Sequence, residues 1–165
     1  MYRPDRVYPI VRDRRHVAKS HKHKQCEDLC KKIAIMRAGG RCEICGEPSP
    51  EGHHIFYGSQ YRNNLHLTFN PLFYAAACGG CHRIKRYAAH VDNEAFLIIL
   101  QEKLLNGGQE ARWRAIAAAL KAPIDTDYVT LDLKEVYADL VVEYHELEAI
   151  RWMDTDIEAE FGRMG

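Results

Sequence analysis

Four of the six cysteines in this 165-residue chain fall into two pairs with metal-ligand spacing. Cys42 and Cys45 stand in "RCEICGE", Cys78 and Cys81 in "CGGCH", and 32 residues separate Cys45 from Cys78. Two thiolates so spaced share one tight turn, and two such turns facing each other form a tetrahedral sulfur cage suited to Zn²⁺. Four thiolates leave the ion no open position, so a zinc there is structural. Cys26 and Cys30, four residues apart on a predicted helix, read as small buried apolar residues. His21 and His23 could complete a second site with them, although histidines in a basic stretch are ordinarily solvated.

A second group lies inside the loop that the cage would close. His53 and His54 are neighbours in "EGHHIFYGS", and His82 directly follows Cys81. A neutral imidazole can accept a proton at neutral pH or hold a divalent cation. On a strand the two neighbours would face opposite sides, one buried and one exposed, with no further meaning. The third histidine at the knuckle, with both cysteine pairs in place, argues for working residues instead. His66 and His90 are expected to be surface or partly packed residues without a role.

The elements that must carry these residues are short near the centre and long after it. Residues 1–25 form a basic arm with no lasting apolar period. A helix is predicted from about Cys26 to Arg37, stopped by "AGG". "HHIFYG" and "LHLTFNPLF" read as strands of a hairpin. After His90 the texture turns helical. One helix is capped by Asp92 or Asn93 and ends at Gly107-Gly108, an alanine-rich second is closed by Pro123, and a third follows Asp132. The predicted class is α+β, with an arm over 1–25, a central zinc-stapled module over 26–91 and an appended helical part over 92–165.

"CEIC", "GHHI", "CGGCH" and "RIKR", within residues 41 to 90, together resemble the HNH endonuclease family, whose fold is the ββα-metal or His-Me finger. The resemblance implies a hairpin and following helix that hold one divalent cation, Mg²⁺ or another, on a scissile phosphate. Carried over, His54 is the general base, and His53 and His82 are cation ligands. Many members carry asparagine five residues before the cysteine that opens the second knuckle. Here that position is Phe73, and Asn70 is the nearest asparagine able to orient the base, with Asn63 and Asn64 further off. The resemblance implies hydrolysis of phosphodiester bonds in DNA and a bacterial or phage setting. The alternative is a zinc-ribbon-like module that binds nucleic acid or a partner protein without cutting. Convergence of His53, His54 and His82 on one pocket outside the cage favours the first, and rings that point apart favour the second.

Composition bounds the rest. With 47% apolar residues the chain can build a core of moderate size. No apolar run reaches a membrane-spanning length, and the basic start lacks the apolar stretch of a secretory signal, so a cytosolic protein without membrane contact is expected. The net charge of zero conceals a split: residues 1–90 hold 16 Lys and Arg against 7 Asp and Glu, and residues 91–165 hold the reverse. The basic half suits a polyanion, with Arg62, Arg83, Lys85 and Arg86 as candidate phosphate contacts. The acidic helices could pair two copies through Trp113, Trp152 and their tyrosines, mimic nucleic acid, or complete one compact domain.

Overall fold

The computed structural model describes residues 21–48, 50–56, 64–122 and 131–161, with side chains to residue 151. The basic arm before His21, Arg62, Pro123 and the Trp152 side chain lie outside them. Among the described residues no helix is long and apolar enough to cross a membrane.

Helix α1 (His21–Arg37) buries Cys26, Cys30, Ile33 and Ala34, a spacing that lines one face of a 3.6-residue period. It begins five residues earlier than the apolar pattern indicates. Side-chain packing explains the extension: the His23 ring meets Phe69 edge-on at 4.8 Å, and the Lys22 ammonium sits 3.7 Å from the centre of the Tyr137 ring. Gly39 and Gly40 end the helix in left-handed conformations, φ 61° and 71°, where a side chain would be strained.

Strands β1 (Glu51–His54) and β2 (Tyr74–Ala77) form a two-stranded antiparallel sheet. The second strand is not the apolar run expected of it. That run folds instead into the short helix α2 (Leu65–Thr68) and a 3₁₀ turn over Pro71–Phe73. Two asparagines cause this. The side chain of Asn64 accepts from the Leu67 N–H at 3.3 Å and that of Asn70 from the Leu72 N–H at 3.0 Å, each satisfying an orphan donor at a helix start.

Three further helices follow, α3 (Asn93–Asn106), α4 (Glu110–Lys121) and α5 (Leu133–Phe161). Asp92 caps α3 through the Ala95 N–H at 3.0 Å, and Asp132 accepts from the Lys134 N–H at 2.8 Å.

The architecture is α+β, a small sheet between two helical layers. One core joins Ile55, Phe56, Phe73 and Ala75 to Phe96, Leu100 and Leu104 of α3 and Ile116 of α4. The other joins Tyr74 to α1 and to Leu131, Val136 and Leu140 at the start of α5. Residues on both sides of the expected boundary at residue 92 share each core, those after it supplying Phe96, Leu100, Leu104 and Ile116 to the first and Leu131, Val136 and Leu140 to the second. Burying Phe96 alone stabilises the fold by about 2 kcal/mol. Trp113 packs, partly buried, against the first core.

A buried ion pair ties the first cysteine turn to α4. Arg112 bonds both carboxylate oxygens of Glu43, with side-chain exposures of 5% and 7%. Arg112 also donates to the Leu72 carbonyl at 3.3 Å and the Tyr74 carbonyl at 2.7 Å. Glu43 accepts the Ala76 N–H at 2.9 Å. On the other side Arg37 donates to the same Tyr74 carbonyl at 2.9 Å. Burial, with Arg112 as the second cause, lowers the Arg37 guanidinium to about 10.

Candidate metal centres

The first cysteine turn closes through Cys42 N–H to Glu47 O and Gly46 N–H to Cys42 O, both 2.8 Å. Gly46 adopts φ 77°. The second turn closes through His82 N–H to Cys78 O at 2.8 Å. Together they bring the sulfurs of Cys42, Cys45, Cys78 and Cys81 within 4.8 Å of one another. Tetrahedral zinc with its usual Zn–S length requires sulfurs about 3.8 Å apart, and Cys45 and Cys78 stand at 3.7 Å. All six cysteines are free thiols. Burial raises the Cys42 and Cys81 thiols, whereas the backbone amide of Cys81 draws Cys78 down to about 7. The four cysteines can hold a zinc ion.

The second group depends on the alternation of β1. Glu51 pairs with Ala77 and His53 with Ala75, while Gly52 pairs with Ala76 and His54 with Tyr74, so Glu51 and His53 share one face and Gly52 and His54 the other. The first face looks toward the second cysteine turn. Around Cys81 and His82 the expected helix is only a single wide turn (Gly80–Ile84), closed by Lys85 N–H to Gly80 O at 2.8 Å. The chain then doubles back, and His90 N–H donates to His82 O at 3.1 Å. His90 thereby joins His82 and His53.

Ring centres in this trio lie 4.6 Å (His53–His82), 5.2 Å (His53–His90) and 4.7 Å (His82–His90) apart. One nitrogen from each falls within 4.8 Å of the others, and Nε2 of His82 is 3.0 Å from Nε2 of His90. Two imidazoles on one tetrahedral ion at ordinary Zn–N lengths have nitrogens about 3.3 Å apart, so small ring movements would admit a cation. Burial, then the charges of His82 and His90, lowers the His53 imidazole to about 3, and burial also lowers His82. Both are thus neutral at pH 7, the form that binds metal. Phe96 closes the inner side, its ring edge-on to His53 at 5.6 Å. On the outer side Glu51 accepts from His82 Nδ1 at 3.1 Å and from Arg83 at 2.5 and 3.3 Å. Three imidazoles leave a fourth position open, and nitrogen donors suit zinc, nickel or cobalt better than Mg²⁺, which takes oxygen.

His53 and His82 therefore meet, but the His54 ring does not join them. It lies on the face toward α1, edge-on to Tyr74 at 4.8 Å, with Nδ1 3.0 Å from Phe56 O and Nε2 3.3 Å from Leu67 O. Asn70 is used as a helix cap, and Phe73 is core against Phe56. Arg83 and Arg86 are exposed and Lys85 half-buried on the outer turn. Cys26 and Cys30 are fully buried, the Cys26 thiol 3.8 Å from Leu133 O, and burial pushes Cys26 up to about 11; neither joins a metal-ligand cluster among the described residues. His90 is the residue that sequence reasoning misses. Its only signal is the turn-forming "RIKRY" between two histidines, which does not show that the chain returns.

Comparison with protein-family models, curated proteins and solved structures finds no match to this chain.

Proposed function

We propose that this protein is a metal-dependent endonuclease of the HNH kind that hydrolyses phosphodiester bonds in DNA, built on a zinc-stapled ββα-metal centre. The observation that carries this reading is the trio His53, His82 and His90, with an open side, beside the cysteine cage and next to exposed Arg83 and Arg86. A cation held by the three imidazoles would neutralise charge developing on a phosphoryl oxygen and make a nearby water more acidic. Arg83, Lys85 and Arg86 supply phosphate contacts that draw in any sequence. His54 is the general base in this reading. Its ring lies on the opposite face of β1 from the trio, so this role rests on the resemblance and not on the position of the ring.

A non-catalytic zinc module that binds nucleic acid or a protein is the second reading. The orientation of His54 and the capping role of Asn70 favour it.

Plasmid cleavage with Mg²⁺, Mn²⁺, Co²⁺ or Ni²⁺ separates the two, using wild type, His82→Ala and His54→Ala, each with its cage zinc retained. Cutting by wild type that both variants lose supports the nuclease and its base. Cutting that survives His54→Ala but not His82→Ala keeps the nuclease and removes the base assignment. DNA binding without cutting under any of the four cations establishes the binding module instead.

A further inference from the structure

Glu51 is half-exposed, yet its carboxylate is committed to two partners on one side. Oε2 lies 3.1 Å from His82 Nδ1, and both carboxylate oxygens meet the Arg83 guanidinium. An ionised carboxylate can only accept, so a neutral His82 must carry its proton on Nδ1. The lone pair then sits on Nε2, the nitrogen facing His90 at 3.0 Å. Sequence position reinforces the geometry. Glu51 is two residues before His53 on β1, and alternation puts both on the face that meets His82. One short strand thus delivers both a cation ligand and the group that orients a second ligand from another element.

We propose that Glu51 is a positioning residue for the cation site: it fixes the Nδ1–H form of His82 and turns Nε2 into the space between His53 and His90, while Arg83 holds the carboxylate in place. The inference rests on the cation-binding half of the proposed function and not on nuclease activity. Outer partners of this kind set tautomer and ligand basicity, and their loss weakens metal affinity by about 10- to 100-fold. The site is then more than three histidines, because a free imidazole places its proton on either nitrogen. Arg83 acquires a second task besides phosphate contact. Without it the carboxylate, 45% exposed, can rotate into water.

The test uses the full chain with its cage filled by one zinc, and reads Co²⁺ binding at the second site by visible absorption. Glu51→Ala is expected to bind Co²⁺ about 10- to 100-fold more weakly than wild type. Glu51→Gln, whose amide oxygen can accept the same proton, should recover much of that loss, and Arg83→Ala should lose a smaller factor. Nitrogen NMR of the cobalt-free protein should show His82 protonated at Nδ1 in wild type and at both nitrogens in exchange in Glu51→Ala. A purely structural role would move the melting temperature but not the tautomer. Equal Co²⁺ affinity and the same His82 tautomer in wild type and Glu51→Ala overturn the assignment. A wild type that binds no second cation, with His53→Ala behaving identically, overturns the cation site itself. If Glu51→Ala fails to fold, the isosteric Glu51→Gln and the Arg83→Ala comparison carry the same decision.

Discussion

Replacing Arg112 by methionine should be among the most damaging single changes in this protein. The guanidinium and the Glu43 carboxylate are 5% and 7% exposed, so its removal leaves the carboxylate out of water with the Ala76 N–H as its remaining hydrogen-bond donor among the described residues. Breaking a buried pair from one side costs about 3–5 kcal/mol. The Leu72 carbonyl also loses its bond from Arg112, whereas the Tyr74 carbonyl keeps Arg37 at 2.9 Å. Against a typical total stability of about 5–15 kcal/mol, the loss is a large share. Urea unfolding of the zinc-loaded protein measures it, provided the slope against urea is unchanged. Because Glu43 stands between Cys42 and Cys45, zinc per chain should be counted alongside, and Arg112→Met is expected to release the ion more readily to a chelator. The double variant Glu43→Gln with Arg112→Met should cost less than Arg112→Met alone, since no buried carboxylate is left charged. A cost for Arg112→Met below about 1 kcal/mol, the size of a surface pair, or simple additivity in the double variant, would refute the reasoning.

Two further expectations concern charge. His53 titrates near 6.5 when unfolded and near 3 in the folded chain, so below about pH 6.5 the unfolded state takes up a proton that the folded state refuses. Stability of the protein without a cation at this site is therefore full above that pH and falls as acid is added, by up to about 1.4 kcal/mol per pH unit from this group; a His53→Gln variant with the same pH slope as wild type would show that the group does not contribute. Arg86→Ala should lower the slope of log affinity for DNA against log salt by about 0.9 while affecting all sequences alike, and an unchanged slope would remove Arg86 from the interface.

The chemistry-bearing residues were largely legible because their spacing is local. Each C-x-x-C is a turn in itself, and His82 follows Cys81 directly, so any fold that closes the cage brings His82 near the loop holding His53. What escaped depends on where the chain goes. Strand β2 is "YAAA", and alanine has little strand propensity, while the adjacent "LHLTF" alternates like a strand but is bent by Asn64 and Asn70 into turns. His90 reaches the site only because the segment after Ile84 doubles back, a long-range outcome with no periodic signature. Nothing in the spacing around Arg112 marks it; its burial comes from the pairing with Glu43 underneath α4. Neighbouring His53 and His54 could be placed on opposite faces by alternation, but which face met His82 required the packing of α1.

That packing gives Gly52 a meaning beyond its small size. A Cβ built on Gly52 would lie on Lys31 of α1, 2.6 Å from its Cα. Suppose β1 slid by one residue against β2. His54 would take the place of His53, so a histidine would still confront His82, and the duplication in the sequence would look like insurance. Yet Gly52 would then occupy the place of Glu51 and His53 would be driven into α1, where not even a methyl group fits. The error is sterically rejected before it can produce a plausible but anchorless site. In "EGHH" the glycine is the residue that makes the two histidines different from each other.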